Sequence, residues 1–140
     1  MTTLGDPWSL AYSTGHPGGS DLDLCTADGG ALSVQADRWH GTATPGERRL
    51  LARVRPPVLD IGCGPGRLVS ALAHRGVEAL GVDTSAAATR RAREGGATAI
   101  NRSVFARLPA EGEWAAALLL DGNIGIGGDP ATLLERVRSL

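Results

Sequence analysis

The sequence predicts an α/β fold, a parallel sheet with helices on both faces, preceded by an N-terminal β-hairpin and helix. Three observations predict it. From Pro57 onward, apolar runs of strand length alternate with segments that carry helix-start and helix-stop residues. Those runs are nearly continuous rather than alternating, as in strands covered on both faces. The first of them ends in a glycine-rich turn, "DIGCGPGR" at 60–67, that leads straight into a helix. Strands separated by helices in this way pair in parallel through crossover connections.

Taken in order, residues 1–20 hold repeated Gly and Pro ("GDPW", "TGHPGGS") without a sustained period and read as a loosely ordered leader. In "LDLCTADGGALSV" at 22–34, Leu22 and Leu24 alternate, "ADGG" supplies a turn, and Leu32 and Val34 alternate again, the pattern of a hairpin. "TPGERRLLARV" then offers Thr44 as N-cap, Pro45 at the first helical position and Glu47 completing a capping box, with the helix ending before Pro56. The hairpin and helix make up a unit at 21–55, and 56–140 forms the sheet domain. There "PVLDIG", "VEALGVD", "ATAINRS" and "WAAALLLD" are the strands. "GRLVSALAHRG" and "SAAATRRAREGG" are helices closed by glycine, and "DPATLLERVRSL" is a helix capped by Asp129 with Pro130 behind it.

Composition removes several function classes. With 140 residues the chain is one modest domain. A net charge of -1 provides no basic field for nucleic acid or anionic lipid. Two distant cysteines, Cys25 and Cys63, suggest neither a disulfide framework nor a metal site and fit a reducing cytoplasm. No run is long and apolar enough for a membrane span. Every basic side chain is arginine, for which composition offers no mechanism.

The stretch at 60–67 is where a ligand is expected. A helix N-terminus presents unpaired N–H groups, and glycines allow close approach to the backbone. The dinucleotide fingerprint fails, because Arg67 stands where its third glycine belongs, and a phosphate-loop motif fails because the chain has no lysine. The next strand ends in Asp83, and an acid at that tip suits a pair of ribose hydroxyls.

"VLDIGCGPGRL" at 58–68 resembles motif I of the class I S-adenosylmethionine-dependent methyltransferases, a strand ending in Asp or Glu followed by x-G-x-G-x-G, and the likeness extends over 57–140. The resemblance implies a Rossmann-like sheet that binds S-adenosyl-L-methionine and releases S-adenosyl-L-homocysteine. By that likeness Asp60, with the backbone of Gly62, Gly64 and Gly66, holds the methionine end, and Asp83 with Thr84 meets the ribose. "NRSVFARLP" is similar to the loop facing adenine, with Ser103 in place of the acid often found there, beside Val104 and Phe105. Arg38 is expected to pair with the methionine carboxylate, and Trp39 to cover the pocket.

A second glycine-rich stretch, "DGNIGIGGDP" at 121–130, follows the fourth strand and matches no nucleotide fingerprint. Its glycines let a loop pass close to the ligand, with Asp121 and Asn123 as contacts to cofactor or acceptor. No catalytic base is identified beyond a weak candidate, His40, the only histidine near the expected pocket mouth.

The family's core has seven strands, so the resemblance implies a sheet incomplete at its C-terminal side. The fourth strand's edge would be covered by the rest of a longer enzyme or by a homodimer partner. The expected function is methyl transfer to a small-molecule acceptor, without nucleic acid or membrane partners. The alternatives are a non-catalytic module holding S-adenosylmethionine or S-adenosylhomocysteine and, less favoured, a nicotinamide-dependent oxidoreductase.

Overall fold

Four short strands, β3 (Val58–Ile61), β4 (Ala79–Asp83), β5 (Ala99–Asn101) and β6 (Ala116–Leu118), form one parallel sheet in the order β5-β4-β3-β6. The structure is a computed structural model that describes residues 21–25, 27–35 and 37–140. The leader expected at 1–20 lies outside the described residues. Ahead of the sheet, β1 (Asp21–Cys25) and β2 (Ala31–Gln35) pair as the expected antiparallel hairpin. Among the described residues five α-helices connect and flank these strands: α1 (Asp37–His40), α2 (Pro45–Leu51), α3 (Arg67–Ala73), α4 (Ala86–Glu94) and α5 (Pro130–Arg138). The single turn of α1 is absent from the sequence expectation, being too short to show a period.

Helix starts follow their capping chemistry. Thr44 Oγ1 accepts from the Glu47 N–H at 3.2 Å, while Glu47 Oε2 accepts from the Thr44 N–H at 2.7 Å, closing the capping box of α2. Ser85 caps α4 and Asp129 caps α5, each accepting a first-turn N–H.

The two faces of β3 separate two cores. Leu59 and Ile61 point into a cluster with Leu80, Val82 and Leu133 of α5. Val58 faces the other way, into a cluster with Leu51 of α2 and Leu68 and Leu72 of α3. Asp60, two residues on from Val58, shares that second face by the period-two geometry of a strand. Helices thus cover both faces, as expected. On the α3 side the glycine turn and the helix approach the sheet closely: a Cβ at Gly81 would lie 2.6 Å from Cys63 Sγ and 3.1 Å from Val69 Cγ2 of α3.

The fourth sheet strand is shorter than expected. "WAAALLLD" was expected to run to Asp121, but pairing stops at Leu118, opposite Asp60. The reason lies in the neighbour. Beyond Asp60, the carbonyls of Ile61 and Gly62 are taken by Asn123 Nδ2 at 2.8 and 3.0 Å, so no strand partner remains for Leu119 and Leu120. Among the described residues the outer edge of β6 has no strand beside it.

The connection from β5 to β6 contains no helix and is held by Arg136 of α5. Its guanidinium donates to the carbonyls of Val104 and Ala106, both at 2.8 Å, and pairs with Glu111. That pairing, with the Leu108 N–H, keeps the Glu111 carboxyl below its ordinary range.

Gly66, N-cap of α3, has φ +85, and a Cβ there would lie 2.7 Å from that of Ala92 in α4. Gly66→Ala should therefore lower stability by about 2–4 kcal/mol, through left-handed strain and overpacking, which a denaturant melt followed by circular dichroism will measure.

Candidate active site

At the carboxyl ends of β3, β4 and β6 lies a cavity of about 550 Å³, in the crevice where open α/β sheets place their ligands. Its floor is the turn from β3 into α3, its walls are Asp83 with Thr84 on one side and Asp121 with Asn123 on the other, and Leu32 of the hairpin and Trp39 of α1 reach it from the N-terminal segment.

Asp60 is the chemically exceptional group. It is 2 % exposed, lines the cavity, and its Oδ2 is buried with no hydrogen-bond partner. Burial raises its carboxyl to about 7; Arg67 opposes the rise, while Asp121 and Asp83 add to it. A native protein seldom leaves such an acceptor unsatisfied, and where one faces a cavity it points to an incoming donor.

Beside it, Arg67 is held almost out of water, its side chain 4 % exposed. Its Nη1 donates to Glu47 Oε1 and its Nη2 to Asp121 Oδ2 at 2.5 Å. One guanidinium therefore joins α2, α3 and the loop after β6. Arg38 of α1 adds looser pairs, 3.6 Å from Glu47 and 3.7 Å from Asp121. Burial works against charge on Glu47, but hydrogen bonds from Arg67 and Thr44 outweigh it and hold the carboxyl at about 2.

Asp83 is anchored by backbone donors. Its Oδ2 accepts from the Gly64 N–H at 2.9 Å and its Oδ1 from the Ser85 N–H at 2.8 Å, which aims the carboxylate along the glycine turn. Asp121 is held in the left-handed region, with φ 55, followed by Gly122 at φ 86. Aspartate tolerates that conformation better than most residues, and here it turns the carboxylate back toward Arg67.

The expected glycine roles divide. Gly62 and Gly64 line the cavity, but a Cβ on Gly62 would lie 2.6 Å from Asn123 Nδ2, so the space it leaves admits a side chain of this protein. Gly66 lies outside the cavity and makes room for Ala92 and Ala97. Ser103 and Val104 line the cavity, whereas Phe105 packs outside it, over Gly127. Arg38 and His40 also lie outside the lining, Arg38 turned to its carboxylates and 58 % exposed. Burial pushes the Cys63 thiol well up from its usual range, in keeping with a packing role.

Sequence reasoning missed Arg67 and Glu47 as parts of the site. In the sequence Arg67 stands out only for breaking a dinucleotide fingerprint, and Glu47 only as a cap. An acid whose backbone role is already satisfied leaves one oxygen for another partner, and that was the available signal.

Residues 58–136 match the methyltransferase domain family. The chain belongs to that family. No curated protein sequence matches this methyltransferase domain. Among solved structures, an S-adenosylmethionine-dependent methyltransferase from Bacteroides fragilis, in complex with S-adenosyl-L-homocysteine, superposes with a TM-score of 0.82 at 20% identity, over 100% of this chain and 62% of its own. The sugar N-methyltransferase KedS8 from Streptoalloteichus sp ATCC 53650 gives 0.54 at 25% identity, over 87% and 54%. The plantazolicin methyltransferase BpumL, in complex with a triazolic desmethylPZN analog and S-adenosylhomocysteine, gives 0.53 at 23%, over 75% and 47%. The methyltransferase domain described here thus has the class I Rossmann-like fold and spans less than two thirds of these neighbours.

Protonation of Asp60 has a consequence for stability. Its folded value, about 7, lies above the ordinary 3.8, so the folded state binds the proton more tightly and stability falls as pH rises from about 4 to about 7. Asp60→Asn, which cannot ionise, should be more stable than the parent at pH 8 by on the order of 2–4 kcal/mol, with the gap closing toward pH 4. Glu47 works in the opposite sense. Its depressed value gives stability that is complete above about 4.5 and lost as pH falls toward 2, so Glu47→Gln should erase part of the acid-side slope in the same melts.

Proposed function

We propose that this chain is the cofactor-binding portion of an S-adenosyl-L-methionine-dependent methyltransferase that acts on a small-molecule acceptor in the cytoplasm. The observation that carries the reading is Asp60: a buried carboxylate oxygen without a partner, in a residue that lines a cavity of about 550 Å³. Such a group suits an ammonium and would repel a phosphate. The residues present fit the cofactor: Asp60 would meet the amino group, and Asp83, its carboxylate held at the tip of β4 by two backbone N–H groups, would meet the ribose hydroxyls.

When bound, S-adenosylmethionine supplies an already activated sulfonium methyl group. What this chain contributes is alignment and exclusion of water. Leu32, Trp39, Leu120 and Ile126 give the cavity apolar walls, and the Arg67 pairs hold the N-terminal segment and the loop after β6 against the cofactor turn. A small acceptor is supported by the net charge of -1, which offers no field for nucleic acid, and by the sugar N-methyltransferase among the similar folds. Among the described residues no helix is long and apolar enough to cross a membrane.

Titration calorimetry tests the reading. At pH 8 the chain should bind S-adenosylmethionine with micromolar affinity, and Asp83→Ala should weaken it at least about ten-fold through lost ribose contacts. Because the ammonium needs an ionised Asp60, affinity should fall about ten-fold per pH unit below about 7, where the proton must first be removed. Absence of binding by the folded chain would overturn the proposal. Transfer of a labelled methyl group to an acceptor separates an enzyme from a module that only holds the cofactor.

A further inference from the structure

The N-terminal hairpin has the least support of any strand pair in the chain. Among the described residues no further strand joins β1 or β2, and Cys25, residues 27–33 and Gln35 are all exposed. A two-stranded hairpin is marginal in water unless an apolar face of it packs on something. Its register supplies such a face. Leu22 stands opposite Val34 and Leu24 opposite Leu32, so the four apolar positions fall on one side of the ribbon. Leu32 is 64 % exposed and at the same time lines the cavity, which joins that side to the cavity mouth.

The lining is also divided by chemistry. Its charged groups, Asp60, Arg67, Asp83, Arg102 and Asp121, all come from the sheet domain, at strand ends or in the segments that follow them. Among the described residues the N-terminal segment contributes only Leu32 and Trp39. On the loop after β6, Ile124 lies between the lining residues Asn123 and Gly125 and is 42 % exposed. One apolar side chain in water is ordinary, but several about a single opening mark a surface that something covers.

We propose that the acceptor is a neutral molecule with an extended apolar group, which lies along the apolar side of the hairpin while its nucleophilic atom enters the cavity. The inference rests on the methyltransferase reading above and names the class of its acceptor. A charged or heavily hydroxylated acceptor would give up water against the Leu32 and Trp39 wall without gaining a partner there. An apolar group has no such loss, and it gives the hairpin the packing that a lone pair of strands lacks.

Calorimetry at pH 8 on the chain saturated with S-adenosylhomocysteine tests this, with aniline and its para-methyl, para-ethyl and para-butyl derivatives set against glucosamine and glycine. At that pH the anilines share one uncharged nitrogen nucleophile and differ only in apolar length. Affinity should rise by about three-fold per methylene, the scale of a buried methylene group, and para-butylaniline should bind more tightly than either polar amine. In Leu32→Ser, the preference for para-butylaniline over aniline should shrink at least about three-fold. A replacement that merely loosened the fold would weaken both ligands alike and leave their ratio standing. An unchanged ratio, a flat series in the parent, or tighter binding of glucosamine or glycine overturns the inference. Failure of S-adenosylhomocysteine itself to bind overturns the methyltransferase reading beneath it.

Discussion

Everything around the cavity depends on one buried guanidinium. Arg67 occupies the first position of α3, directly after the glycine turn, and takes carboxylates from α2 and from the loop after β6. Placing an arginine there out of water is costly unless its donors are matched, and a pair broken from either side leaves the other charge stranded. The N-terminal segment is therefore an integral wall of the site. The same charge favours ionisation of Asp60, which Asp121 and Asp83 oppose.

The arrangement divides labour between structural and chemical carboxylates. Glu47 is used twice, as a helix cap and as a counter-ion, and is fully ionised at neutral pH. Asp60 has neither use and is left proton-bound near neutrality. Two acids within one network are thus pushed to opposite sides of their usual range by what each has for a partner. The cost of Asp60 is borne by the fold, in keeping with strain gathered at functional positions.

Much of this was legible in the sequence. Capping residues announced α2 and α5, closing glycines announced α3 and α4, and continuous apolar runs announced the parallel strands, because those signals are local. Asp60, Asp83 and Asp121 were legible as cavity residues, since the ends of parallel strands share one edge of the sheet. Positions that depend on distant partners were not. The truncation of β6 follows from an asparagine competing for carbonyls some sixty residues away, and the outward placement of Phe105 from a glycine in another loop. The short turn of α1 and the pairing of Arg38 likewise follow from tertiary contacts that no period reveals.

The glycine turn bears on how distant sequences of this kind should be read. Gly62 gives way to Asn123, and Gly66 to Ala92 and Ala97, so both are demanded by the packing of the protein against itself. A descendant that had lost every affinity for a nucleoside would remain under pressure to keep them. Asp60 is under the reverse pressure, since an uncharged side chain there relieves the fold. In a sequence survey, retention of the glycines would mark common architecture, and replacement of this single aspartate would mark the lineages that have abandoned the chemistry.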